Sequence, residues 1–322
     1  MNIGILGTGH VAGKMADTVN AMSNNAENVK LSAVGSRTRE SAQAFAEKYN
    51  ISRCYSDYDS LCADSDIDLI YIATPHRFHC ENMLTALNAG RNVLCEKPFT
   101  VNAKEARKVI DLAGEKRLFA GEAMWTRYMP LCDKFKLVSE IQPITLTANI
   151  GYEIAHVQRL YDLELAGGAL LDLGVYAINF ALMAFGNDIA KIESSCEYFP
   201  TRADISNEIT LTYSDGKVAK LMSTARENVE SFGTITGKSG KLIFKNINDY
   251  EWVKLEDALG GQIGEVGKRA PGSGFEYQVR ASADAIRRSA VEPKEMPHSE
   301  TIRVMEIMDE VRRQCGIVYP FE

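Results

Sequence analysis

The chain has 322 residues, 45% of them apolar and 25% charged, long enough for two domains with separate cores and unlike disordered, fibrous or membrane-embedded chains. Its net charge is −7 with no long Lys/Arg run, so no nucleic-acid partner is expected and an anionic cofactor must be held by local groups. Seven scattered cysteines without a C-x-x-C pair read as reduced thiols of a cytoplasmic protein. No charged n-region or apolar h-region stands ahead of the first apolar run at Asn2, so export is not expected.

Asn2 to Leu6 is a short apolar run, and residues 10–22 then switch to helical spacing through Val11, Met15, Val19 and Met22. The alternation continues with a strand near 31–36, a helix near 39–49, a strand near 68–73, a helix near 78–89, a strand at 92–95, a helix near 102–115 and a strand at 118–121. Such repeated units predict an α/β domain over residues 1–122, a doubly wound parallel sheet of Rossmann type. After about residue 123 the pattern changes to partial two-residue alternation, at 143–153, in Ile209, Leu211 and Tyr213, and at 217–225 and 240–255. Residues 123–322 are expected to form an α+β domain with a large, mainly antiparallel open sheet. Helices near 275–290 and 299–315 close the chain, the last with Ile302, Met305, Met308 and Val311 along one stripe. The apolar stretch Gly167 to Gly186 resembles a membrane span, but it carries Asp172 and Asn179 after a Gly-Gly break and reads as a buried helix, so no membrane is expected. Glycine-rich residues 260–274 read as a surface loop.

Gly7-Thr8-Gly9-His10-Val11-Ala12 follows the first strand and opens the first helix. In that setting Gly7 makes the turn, Gly9 lets backbone approach a pyrophosphate, and Ala12 permits close helix–strand packing. The helix start adds free N–H groups and partial positive charge. The second strand ends in Gly35-Ser36-Arg37-Thr38-Arg39, with no carboxylate before Glu40 to take a ribose 2′-hydroxyl. Ser36 and Arg37 suit a 2′-phosphate instead, so NADP(H) is favoured over NAD(H).

The third βα turn is Thr74-Pro75-His76-Arg77-Phe78-His79, and the next strand ends in Cys95-Glu96-Lys97-Pro98. A strand followed by Glu-Lys-Pro about 85 residues after the dinucleotide turn resembles the Gfo/Idh/MocA oxidoreductase family. Met124-Trp125-Thr126-Arg127-Tyr128-Met129-Pro130, Arg159-Leu160-Tyr161-Asp162 and the run from Gly167 to Tyr176 are similar to the branch containing the dimeric trans-1,2-dihydrobenzene-1,2-diol dehydrogenases and NADP-dependent aldose dehydrogenases. The resemblance implies a catalytic group of Lys97, Asp172 and Tyr176, with Tyr176 where most of the family has His. It further implies that Thr74, Pro75, His76 and His79 border the cofactor, with Glu96 and Lys97 near the nicotinamide ribose and Trp125 and Arg127 closing over nicotinamide or substrate.

The chemistry is consistent with that implication. Asp172 and Tyr176 are four apart on an expected helix and share a face. Alcohol oxidation needs a base for the hydroxyl proton, and reduction needs the same group as an acid. A tyrosine serves if a cation such as Lys97 lowers its pKa, whereas Asp172 alone would raise it. Asp172 is therefore assigned to orientation and Tyr176 to proton transfer. His76 and His79 lack a third ligand in a recognised spacing, and no metal is expected.

The expected activity is hydride transfer between NADP(H) and a CH–OH or C=O group of a small sugar, polyol or cyclic diol. An NAD-retaining, redox-neutral glycosidase and a non-catalytic NADP(H)-binding sensor are the alternatives. An open sheet face predicts a homodimer or higher homo-oligomer.

Overall fold

The computed structural model describes residues 1–267 and 272–322. The chain divides into two compact units, Met1–Tyr128 with Pro271–Ile302, and Met129–Ala270 with Arg303–Glu322. The helix that begins at Phe275 packs with the first unit.

In the first unit strands alternate with helices: β1 (Asn2–Leu6), α1 (His10–Asn24), β2 (Lys30–Gly35), α2 (Arg39–Tyr49), β3 (Arg53–Tyr55), α3 (Tyr58–Ala63), β4 (Leu69–Ile72), α4 (His79–Asn88), β5 (Asn92–Glu96), α5 (Ala103–Lys116) and β6 (Ala120–Ala123). The sheet order is β3-β2-β1-β4-β5-β6 and every neighbouring pair is parallel. Strand order therefore reverses beside β1, so the crevice where a dinucleotide sits in such sheets opens at the Gly7 turn. Ile3, Ile5, Leu31, Val34 and Tyr71 of the sheet pack with Met15, Val19 and Met22 of α1 in one buried cluster. Each such side chain contributes about 2 kcal/mol of burial free energy, fixing the start of α1 against the end of β1.

The second unit contains β7 (Pro143–Gly151), α6 (Gln158–Tyr161), α7 (Val175–Phe185), β8 (Ile189–Tyr198), β9 (Asp204–Tyr213), β10 (Val218–Thr224), β11 (Val229–Gly237), β12 (Gly240–Lys245), β13 (Trp252–Asp257) and β14 (Gln262–Val266). Its sheet runs β14-β13-β12-β11-β7-β10-β9-β8, antiparallel except for β7 with β10. The buried positions Leu146, Ala148 and Ile150 of β7 alternate with half-buried or exposed threonines and Asn149, and α7 packs on β7, β10 and β11. The stretch Leu163–Phe185 is apolar and long enough to cross a membrane, yet it is mostly buried. Helix α8 (Phe275–Arg287) belongs to the first unit, and α9 (His298–Cys315) gives residues to both.

Three features depart from the sequence reading. Within the glycine-rich stretch 260–274, Gln262–Val266 forms β14 by pairing with β13 rather than a loop, and residues 268–271 lie outside the described residues. The cysteines are not all free thiols. Cys196 and Cys315 form a disulfide, with Cα atoms 6.0 Å apart. The last turn of α9 lies on β8, where Gln314 Nε2 donates to the Ile192 carbonyl at 2.8 Å and Tyr198 Oη donates to the Cys315 carbonyl at 2.6 Å. Finally, the helix expected to carry Asp172 and Tyr176 is not uniform. Leu170–Gly174 is a π-turn that leads into α7, a geometry that recurs at functional sites.

Candidate active site

Gly7 has φ +110°, and a Cβ there would stand 2.6 Å from the Ala73 carbonyl oxygen, so only glycine fits the turn. Its amide donates to the Gly35 carbonyl at 2.9 Å, tying the turn to the end of β2. Gly9 precedes α1, and a Cβ at Gly9 would meet nothing within 4 Å, leaving its backbone open to a ligand. Helix α1 has no side-chain cap and no acid in its first turn. Its N–H groups are thus available to an anion.

A cavity of about 310 Å³ joins this turn to the ends of β2 and β4, a volume in the range of ligand sites. Gly7, Thr8, Gly9, Ser36, Arg37, Thr74 and Pro75 line it, so the structure brings these seven expected cofactor residues together. Tyr58 and Phe78 also line it. Burial pushes the Tyr58 phenol up while the Arg37 guanidinium pulls it down. Thr38 is committed to capping α2, accepting from the Ser41 amide at 3.3 Å. His10 lines an adjoining cavity of about 550 Å³ that shares Thr8 and Gly9, and Val11 packs against the core.

Beyond β4, Asn82 Nδ2 donates to Thr74 Oγ1 at 3.0 Å, orienting a cavity residue. His79 is fully buried, and its Nδ1 and Nε2 lie 2.8 Å from the Pro98 and Thr74 carbonyl oxygens. Burial holds the imidazole below its usual range despite those carbonyls, and the Lys97 charge adds to the effect. His79 is therefore a strut between the β4 and β5 ends, with both ring nitrogens facing backbone rather than a cofactor. His76 is buried and edge-on to it, ring centroids 5.8 Å apart.

At the end of β5, Glu96 is buried and accepts a hydrogen bond from Tyr71 Oη. Lys97, half-buried, follows it. Arg127 is buried and pairs with Glu300 at 2.8 Å, and Trp125 meets Phe275 edge-on at 5.2 Å. Both are anchored within the first unit. Sequence reasoning missed Glu122 of β6, which is 2% exposed. An acid inside the apolar run Ala120-Gly121-Glu122-Ala123 was the available signal.

In the second unit Gly168 has φ +135°, and a Cβ there would come within 2.1 Å of Asp204 Oδ1. Asp204 Oδ2 accepts from the Leu170 amide at 2.6 Å and from Asn207 Nδ2 at 3.1 Å, and Ser223 Oγ donates to Asn207 Oδ1 at 2.8 Å. This buried network holds the start of the π-turn. Burial pushes the Asp204 carboxyl up to about 6, against the pull of those donors. Asp172, 5% exposed, forms a salt bridge with Arg159 Nη1 of α6 at 3.0 Å. Arg159 is half-exposed, so the pair lies where the buried π-turn meets solvent. Tyr176 is 8% exposed, one turn further on. Among the described residues no group of three or more His, Cys, Asp or Glu could hold a metal ion.

Residues 1–122 match the model of the GFO/IDH/MocA oxidoreductase family with its NAD-binding Rossmann fold, and residues 142–243 match the GFO/IDH/MocA C-terminal domain. The trans-1,2-dihydrobenzene-1,2-diol dehydrogenase of Danio rerio is 31% identical over 91% of this chain and 91% of its own length. The D-xylose 1-dehydrogenase (NADP(+)) of Hypocrea jecorina is 28% identical over 98% of this chain and 92% of its own. Among solved structures, KijD10, a 3-ketoreductase from Actinomadura kijaniata in complex with NADP and TDP-benzene, matches with a TM-score of 0.87 at 23% identity, covering 98% of both chains. A levoglucosan dehydrogenase in complex with NADH and L-sorbose matches with a TM-score of 0.86 at 18% identity, covering 98% of this chain and 96% of that one. The two solved structures hold different nicotinamide dinucleotides, NADP in the one and NADH in the other.

Proposed function

Because the chain belongs to the Gfo/Idh/MocA family of oxidoreductases, we propose that it transfers hydride between NADP(H) and a CH–OH or C=O carbon of a small sugar, polyol or cyclic diol. The observation that carries the cofactor choice is the cavity where the Gly7–Gly9 turn meets Ser36 and Arg37 without a carboxylate at the end of β2. The glycine backbone and the uncapped start of α1 would hold the pyrophosphate, and Ser36 and Arg37 the 2′-phosphate. When bound, the nicotinamide supplies or takes up hydride.

We assign the proton to Tyr176, which accepts it from the substrate hydroxyl in oxidation and returns it in reduction, and cationic assistance to Lys97. Asp172, held by Arg159, orients the substrate. The named activities of the relatives support the substrate class. Losing one charge-assisted contact costs about 1.5–3 kcal/mol, so Arg37→Ala is expected to raise KM for NADP(H) about 10- to 100-fold. The same variant leaves KM for NAD(H) unchanged. Steady-state kinetics with both cofactors check this, and equal losses would remove the 2′-phosphate assignment.

The sheet face away from α7 carries half-buried Met222, Phe232, Ile243 and Trp252 among threonines and charged residues that include Glu208, Lys220, Lys241, Lys245 and Lys254. An open sheet face with apolar residues among charges of both signs supports a homodimer built by self-association. Light scattering on the purified protein is expected to give twice the 35.6 kDa chain mass. Thr234→Arg, central on that face, is expected to yield monomer. A monomeric parent protein at micromolar concentration would dismiss the dimer.

A further inference from the structure

Glu122 lies at the carboxyl end of the parallel sheet, where β6 pairs with β5 through Cys95 with Glu122 and Glu96 with Ala123. Its two carboxyl oxygens are divided between two elements. Oε1 accepts from the Phe99 amide at 3.2 Å, and Oε2 accepts from Thr301 Oγ1, in the first turn of α9, at 2.9 Å. His79 holds the same turn at Pro98, with Nδ1 2.8 Å from the carbonyl oxygen. The two residues that follow Lys97 are thus each gripped by a buried side chain, one from α4 and one from β6.

We propose that Glu122 is a positioning residue for Lys97, its carboxyl pinning the Phe99 amide, and through it the turn that carries Lys97, to the start of α9. The catalytic consequence rests on the assignment of Lys97 to the reaction. The two contacts do not require ionisation: a protonated Oε2 donates to Thr301 while Oε1 still accepts from Phe99.

Charged and titratable groups face Glu122 from each neighbouring element. Glu96 and Cys95 stand on β5, Arg127 and Tyr128 follow β6, and Glu300 of α9 pairs with Arg127, while Lys97 acts on His79 across the same turn. Tyr128 Oη donates to the Glu122 backbone carbonyl at 2.7 Å. Burial pushes the Glu122 carboxyl up to about 7, with Thr301, Arg127 and the Phe99 amide pulling it down and Glu96 adding to the rise. The carboxyl that accepts from the Phe99 amide therefore gains a negative charge as pH rises through neutrality.

The test compares Glu122→Gln, which keeps an acceptor for Phe99 and a donor for Thr301 without a titratable proton, with Glu122→Leu, which leaves the Phe99 amide unpaired. Glu122→Leu is expected to lower kcat about 10- to 100-fold with little change in KM for NADPH. Glu122→Gln should recover most of that loss and remove the step near neutral pH from the kcat/KM profile. Acylation of Lys97 in the NADPH-bound protein by an amine-reactive reagent, followed by peptide mass spectrometry from about pH 6 to 9, follows the same residue without turnover. Its pH dependence should change in both variants. Unaltered labelling in both, or a parental pH profile in Glu122→Gln, would overturn the proposal. Altered labelling together with normal turnover of Lys97→Met would support the hold of Glu122 on Lys97 and remove Lys97 from catalysis instead.

Discussion

Lys97→Met is expected to lower kcat by about three orders of magnitude while NADPH still binds, because general acid–base and charge assistance of this kind contribute about 10²- to 10⁴-fold. Lys97 follows β5 directly, next to buried Glu96, and it is half-buried rather than free on the surface. Methionine keeps the length and apolar stem of the side chain and removes only the ammonium. The cavity residues that would hold the dinucleotide, Gly7 to Gly9 with Ser36 and Arg37, are untouched. NADPH fluorescence titration should therefore give a parental Kd, with kcat alone collapsing. Loss of binding in parallel would make Lys97 a cofactor anchor and leave the chemistry without its cation.

Tyr176→Phe is expected to cost about 10²- to 10³-fold in kcat with KM little changed, the pattern of an interaction made chiefly in the transition state. A free phenol has a pKa of about 10, so a tyrosine that moves protons near neutrality needs a cation to favour phenolate. Combining the two substitutions should cost little more than either alone if both groups serve the same proton. Additive losses would separate their roles. A Tyr176→Phe enzyme with parental rates in both directions would return Tyr176 to the ordinary core of α7.

Much of the first unit was legible because its signals are local. Helix α2 runs over the expected residues since Thr38 caps it and Asn50 ends it in a left-handed conformation. Gly7 is dictated by the close approach of the Ala73 carbonyl, so the dinucleotide turn announces itself in sequence. Strand β3 was invisible: three residues, Arg53-Cys54-Tyr55, with no fully buried side chain. Strand β8 escaped for a related reason, since its ten residues include none fully buried and its alternation is broken by Ser194-Ser195. Strand β14 is short, mostly exposed and glycine-containing, and takes its shape from pairing with β13.

The site divides along the same line. The cavity residues from Gly7 to Pro75 lie in βα turns whose chemistry is written locally. The partners that hold them come from distant chain segments. Arg159 meets Asp172 across α6 and the π-turn, Asp204 grips Leu170 from β9, and Glu122 reaches Thr301 of α9. His79, read as a cofactor neighbour, has its ring nitrogens 2.8 Å from two backbone carbonyl oxygens that only the fold brings close. The Cys196–Cys315 disulfide, 119 residues apart in sequence, likewise required α9 to lie on β8.

The most direct measurement follows the absorbance of reduced nicotinamide while the purified protein is offered aldoses, polyols, cyclic dihydrodiols and dicarbonyls, with NADP(H) and NAD(H) in parallel. Turnover of at least one of these classes is expected, with kcat/KM at least about tenfold higher for NADP(H) and abolished by Lys97→Met. Release of sugar from a glycoside with no net change in cofactor, or tight NADPH binding with no turnover across the panel, would contradict it.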